Sequence, residues 1–231
     1  MKYLLFLVLV AILVNSTLAL GQEQATAPTV ATESSQLEAL RRSGVEALYN
    51  LDYEKARRDF SEIARLYPDN PAGPQLLAAR VWLKTLYESR RLQTSLYSSE
   101  SFYSKGDDKV DPKIIAEFRN LTRDAKRLAE ARLKKDPKDI EALYFLGATA
   151  GLKASFEEAV ERRHFAALRD GSESVDRHRD VLKLDPKYID AELTIGMYDY
   201  VVGSLPLPVR LLAGVAGARG SKKRGLATLE R

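Results

Sequence analysis

The sequence contains no cysteine. That absence excludes disulfides, thiolate metal sites, cysteine nucleophiles and a lipid anchor attached through cysteine. Histidine is scarce too, His164 and His178 being the only 2 among 231 residues. Glycine and proline, at 13 and 9, are few for a fold built on many turns. Leu, Ala, Arg, Lys and Glu dominate instead, so the compositional bias is helical. Neither sign of charge prevails, since 36 basic and 32 acidic residues leave a formal +4, and the basic residues are spread along the chain. With no RRM, zinc-finger or glycine-rich RNA-binding signature beside them, no nucleic-acid partner is expected. What the chain does have is a hydrophobic share of 45%, enough to bury a sizeable core.

Long apolar runs are also missing. Lys2 precedes an apolar stretch over residues 3–14, and small and polar residues follow to Ala19. The run falls short of the roughly 20 residues a spanning helix needs, so residues 1–19 read as a secretory signal peptide. Thr17 and Ala19 stand at the minus-three and minus-one positions of a cleavage site; the alternative is an uncleaved membrane anchor, and export follows in either case. Residues 20–35 are small, polar and without periodicity, as in a flexible linker. A helical domain is then expected over 36–231. Ser35, followed three residues later by Glu38, forms a capping box that predicts a helix start there.

Leu37, Leu40, Gly44, Ala47, Leu48 and Leu51 recur at the three-and-four spacing of an amphipathic helix, and Asn50 and Asp52 supply turn residues. Tyr53, Ala56, Phe60, Ile63 and Ala64 repeat the spacing before Pro68 ends the second helix. Further on, Asp136-Pro137-Lys138 is echoed by Asp185-Pro186-Lys187 at an offset of 49, which Gly147 and Gly196 share.

These residues resemble a tetratricopeptide repeat: Gly44, Tyr53, Ala56, Phe60 and Pro68 occupy its small residue, turn aromatic, alanine, aromatic and closing proline. Pro68 and Pro137 are separated by about two of its 34-residue periods, and the echo by one period plus an insertion of about 15. The resemblance is strongest over 37–70. A second unit opens with Leu77 and Ala78; its first helix is expected to run on to Leu96, and after a serine-rich connection its partner helix covers 112–135. The third unit has Leu146 and Gly147, then an extra helical segment over 154–170, then a closing helix in which Ser174 and His178 replace the alanine and the aromatic. The fourth opens with Ile195 and Gly196 and departs at residues 203–208. The resemblance implies an all-α fold of antiparallel helical hairpins stacked as a solenoid, with Gly44, Ala78, Gly147 and Gly196 letting helices approach closely. Residues 221–231 read as the opening of a further helix with no stop signal, as expected of a truncated chain.

Glu161 and His164 form an E-x-x-H pair of the kind used in di-iron bundles, but His178 has Val175 three residues before it, so a second such pair is missing. A charged helix surface is the plainer reading. Asp176 and His178 beside Ser172 and Ser174 lack a nucleophile elbow, and His178 falls at a normally buried repeat position. In residues 214–224 Ser221 precedes Lys222, the wrong order for a Walker loop. No catalytic residue, cofactor or metal is therefore expected.

By the same resemblance, groove-lining positions of the inner helices fall on Arg41, Arg42, Val45 and Tyr49, on Tyr144 and Ala148, and on Leu193, Met197 and Tyr200. Tyrosine and arginine are favoured binding anchors. Arg41, Arg42, Tyr49, Tyr144, Met197 and Tyr200 are thus the candidate contacts for a protein or peptide partner, ordinary packing being the alternative for each tyrosine. A second reading rests on residues 198–218, which are strongly apolar and are followed by Arg219, Lys222, Lys223 and Arg224. Pro206, Pro208 and Arg210 oppose a spanning helix. The lipid–water boundary suits such a segment, so residues 201–218 are a candidate for docking on a membrane surface.

Overall fold

The computed structural model describes residues 28–91, 109–215 and 217–230. The expected signal peptide, the start of the linker and most of the serine-rich connection lie outside the described residues. Among those described the protein is all-α, with no strand. Helix α1 spans Pro28–Tyr49, α2 Tyr53–Leu66, α3 Ala72–Glu88, α4 Pro112–Lys135 and α5 Ile140–Phe156. A π-helical turn, Glu157–Glu161, continues α5. Then come α6 His164–Leu184, α7 Ile189–Gly203, α8 Leu207–Val215 and α9 Lys222–Leu229.

The links are short and chemically specific. At the end of α1, Leu51 adopts a left-handed φ of 60°. Its amide donates to the Leu48 carbonyl at 3.2 Å and the Asp52 amide to the Ala47 carbonyl at 2.8 Å, which satisfies carbonyls the helix leaves open. The Asp52 carboxylate then accepts the Lys55 amide at 2.9 Å, so one residue closes α1 and caps α2. Residues equidistant from this turn meet: Ser43 Oγ donates to Asp59 Oδ2 at 2.7 Å, and Gly44 lies against the Phe60 ring. The two helices are therefore antiparallel. The Asp-Pro-Lys echo folds as one turn used twice. The amides of Lys138 and Lys187 donate to Asp136 Oδ1 and Asp185 Oδ1, both at 2.9 Å.

Each helix from α1 to α7 packs on the next in the chain, α3 also meets α5, α5 also meets α7, and α9 returns to α7. Phe60, Ile63, Trp82, Leu86, Phe118 and Phe156 are fully buried between them, with the Phe118 and Phe156 rings stacked at 3.8 Å. The small residues act as expected. A Cβ on Gly44 would stand 2.3 Å from Phe60 Cε1, one on Gly147 2.7 Å from His178 Cε1, and one on Gly196 3.0 Å from Thr228 Cγ2.

Helix α4 occupies the expected span, with Asp111 capping Lys113 and Pro112 in its first turn. Three expectations are corrected. Helix α1 begins at Pro28, so Ser35 is an interior residue and part of the stretch assigned to the linker is helical; no breaker separates Pro28 from Leu51. Helix α3 stops at Glu88 rather than Leu96, because Arg90 takes a φ of 56° and the Arg91 amide closes back on the Leu86 carbonyl at 2.8 Å. The stretch 154–170 makes no helix of its own. It lengthens α5 through the π-helical turn and α6 at its start, the break between them falling at Arg162 with φ 55°.

Candidate functional site

The turns of the two echoed segments differ at one position. Asp139, the cap of α5, accepts the Ala142 amide at 2.9 Å. Its counterpart before α7 is Tyr188, which makes no side-chain cap bond. The ring is free to pack, and its centroid lies 5.1 Å from that of Tyr144 in α5. Tyr144 also meets Phe145 edge-on at 5.4 Å and His178 at 5.5 Å.

Arg41 reaches this cluster from α1. Its guanidinium carbon sits 4.9 Å above the Phe145 ring, a cation–π contact. It pairs with Glu38 at 2.6 Å and stands 3.8 Å from Glu141. Arg132, in the last turn of α4, holds Glu141 at 2.8 Å and Asp139 at 2.7 and 3.0 Å. Opposed charge thus continues from α1 across α5 to the end of α4.

Burial sets the protonation of the group. Desolvation raises the Asp190 carboxyl to about 6, although the Arg41 charge pulls the other way. Desolvation and the Asp190 charge raise both Tyr144 and Tyr188, so both remain neutral phenols. The arrangement joins two neutral, closely packed tyrosines, a readily protonated carboxylate and a partly covered guanidinium. It holds no nucleophile with an adjacent base.

A scan against protein-family models finds no match, and searches of curated proteins and of solved structures find none either. The site therefore stands on its geometry.

Of the residues singled out from the sequence, the structure brings Arg41 and Tyr144 together. Arg42 is exposed on α1, and Tyr49, 43% exposed, is at the end of that helix. Met197 is buried in α7, while the Tyr200 ring faces Lys222 Nζ of α9 at 5.7 Å. Ala148 is buried, and Val45 and Leu193 are half-buried. Sequence reasoning missed Tyr188 and Asp190, and the signal that finds them is the mismatch of tyrosine with Asp139 within the echo.

The other residues weighed from the sequence have partners within the fold. Glu161 pairs with Arg119 and His164 Nδ1 with Glu158 Oε2 at 2.8 Å, the two sides of the E-x-x-H pair being split by the left-handed Arg162. Ser172 Oγ bonds Tyr198 Oη at 2.6 Å, and Asp176 pairs with Arg179. His178 Nδ1 lies 2.7 Å from the Ser174 carbonyl oxygen, an acceptor, so Nδ1 carries the proton. Ser221 caps α9 by accepting the Arg224 amide at 3.3 Å.

Proposed function

We propose that this chain is a non-catalytic helical-repeat scaffold that binds a protein or peptide segment on the face shared by α1, α5 and α7. In this reading the hairpins stack as a tetratricopeptide-like solenoid, and residues 1–19 export it. The supporting observation is the placement of Arg41 over Phe145 beside Tyr144, Tyr188 and Asp190. First, third and fourth hairpins contribute to one cluster, in which Tyr144 and Phe145 are buried while Arg41, Tyr188 and Asp190 are half-buried at its edge, where a ligand segment would meet them. The half-buried Tyr188 ring supplies contact area, and the Asp190 carboxyl and Arg41 guanidinium supply direction. Glu38, Asp139, Glu141 and Asp190 outnumber Arg41 and Arg132, so the segment carries lysine or arginine.

The reading is tested by selecting peptides from a displayed random library on the full chain and measuring their affinity by calorimetry. Basic peptides are expected to emerge. Asp190→Asn and Tyr188→Ala should each weaken them at least tenfold while the circular dichroism spectrum stays that of the parent. Selected peptides that bind both variants as they bind the parent would remove the proposal.

A further inference from the structure

Helix α8 is an excursion between α7 and α9, and its polarity is reversed. Val209 is half-buried and Ala213 fully buried, on the side turned to the body. The opposite side consists of Leu207, Pro208, Leu211, Leu212 and Val215, all exposed. At about 100° per residue these side chains fill a continuous arc of about 140°. A helix on a soluble surface normally places polar residues on that arc. Here Leu207 is 58%, Leu211 63%, Leu212 60% and Val215 89% exposed, and Val201 on the end of α7 adds 46%. No helix among the described residues is long and apolar enough to cross a membrane.

Charge singles out the same region. Acidic and basic residues are nearly balanced over the whole chain, yet between Asp199 and Glu230 there is no acid, while Arg210, Arg219, Lys222, Lys223 and Arg224 all fall there. Arg224 is tied to Asp199, and Arg210 donates to the Gly203 carbonyl at 3.2 Å. Arg219, Lys222 and Lys223 are exposed, Lys222 with its ammonium near the Tyr200 ring. Gly217, with a left-handed φ of 87°, lies between the apolar helix and this basic segment in the chain.

We infer that α8 is a docking element for an anionic lipid surface, with Leu207, Leu211, Leu212 and Val215 entering the headgroup–acyl boundary and Arg219, Lys222 and Lys223 pairing with lipid phosphates. Apolar side chains flanked by cations, without intervening acids, match the two components of interfacial binding. An acidic protein partner would be met by the cations but gives no reason for a wholly apolar outer arc. The inference concerns a different surface from the peptide-binding face and does not depend on it.

The absence of cysteine allows a direct test. Leu211→Cys in the full chain, labelled with an environment-sensitive fluorophore, is mixed with vesicles of neutral lipid or of neutral lipid doped with phosphatidylserine. A label at Arg57→Cys, on the exposed surface of α2, serves as reference. The α8 label should shift to the blue only with anionic vesicles, and the reference should not. Lys222→Glu with Lys223→Glu should weaken binding at least tenfold, on a scale of about fivefold for each basic residue lost. Leu207→Ser with Val215→Ser should abolish the blue shift while thermal unfolding stays unchanged. No shift with either vesicle overturns the inference, as does an equal shift with neutral vesicles. A shift that appears without lipid and grows with protein concentration overturns it in favour of a second copy of this chain.

Discussion

The first and third hairpins place a ring against a glycine at equivalent positions, but the rings differ. In the first, Phe60 lies on Gly44, with Ala56 one turn before it. In the third, His178 lies on Gly147, with Ser174 in the place of the alanine. Both rings are fully buried. A phenyl ring asks only for shape, whereas imidazole must also settle its two nitrogens. Nδ1 donates to the Ser174 carbonyl, and Nε2 is buried without a partner among the described residues. Protonation there would create a buried N–H and charge with nothing to accept them. The same architectural position is therefore insensitive to pH in one hairpin and sensitive in the other.

The comparison is broken most strongly by deleting the apolar ring. Phe60→Ala should cost about 3–5 kcal/mol in urea unfolding, because it opens a cavity at a site whose backbone is held by Gly44. The cost should not vary between pH 5 and 8. A loss below about 1 kcal/mol would mean that the first hairpin is not held by this ring.

The next effect belongs to His178, whose pKa is lowered by desolvation from 6.5 to about 4, the bond to the Ser174 carbonyl acting the other way. Its folded pKa is depressed, so between these values the unfolded chain binds more protons and stability rises with pH. The contribution is complete above 6.5 and is lost as pH falls toward 4; its full size is of the order of 3 kcal/mol. His178→Phe installs the solution of the first hairpin and should remove this loss. Unfolding midpoints measured from pH 4 to 7 give the answer, and parallel curves for parent and variant would refute it.

Asp190 opposes that trend. Its folded pKa is raised from 3.8 to about 6, so its contribution favours the fold at low pH and is lost as pH climbs from 3.8 to 6. Glu157, raised by burial and by the Asp170 charge, acts in the same direction. The parent should thus show a shallow pH profile in which the third hairpin's histidine and the carboxyls partly cancel. Asp190→Asn should leave the histidine less opposed and steepen the loss of stability on acidification. A profile unchanged by Asp190→Asn would show that its carboxyl is not desolvated.

How far the residues disclose these arrangements depends on how local the cause is. Helix α4 was legible because Asp111 and Pro112 mark its start and Asp136 and Pro137 its end. The Gly44–Phe60 contact was legible because both residues follow the three-and-four spacing of amphipathic helices on either side of the Asn50–Asp52 turn. The stop of α3 was not, since Arg90 takes the left-handed conformation usually left to glycine, and a tertiary contact rewards it: Arg91 Nη1 donates to the Ala159 and Val160 carbonyls at 2.7 and 3.1 Å. Those acceptors belong to the π-helical turn, itself hidden in a stretch of good helix formers. The site was half legible. Arg41 and Tyr144 were pointed to by the resemblance to a tetratricopeptide repeat, while Tyr188 and Asp190 sit in a turn whose role depends on what α1 and α5 bring beside it.

The smallest effects come from adding one methyl group, and their sign separates packing from propensity. Alanine is favoured over glycine in a helix interior by about 1 kcal/mol, so a glycine kept there without a close neighbour is a weakness. A Cβ added at Gly214 in α8 would meet nothing within 4 Å, and Gly214→Ala should stabilise by up to about 1 kcal/mol. At Gly147 the methyl would stand 2.7 Å from the His178 ring and 3.1 Å from Arg177 Cβ, and at Gly44 2.3 Å from Phe60. Overpacking of this kind costs about 1–3 kcal/mol, which exceeds the propensity gain. Gly44→Ala should therefore destabilise most, Gly147→Ala less, and Gly214→Ala should move the urea midpoint upward. If Gly147→Ala moved it upward by as much, the third hairpin would have room to spare, and close contact between its glycine and its histidine would not be what fixes the distance between α5 and α6.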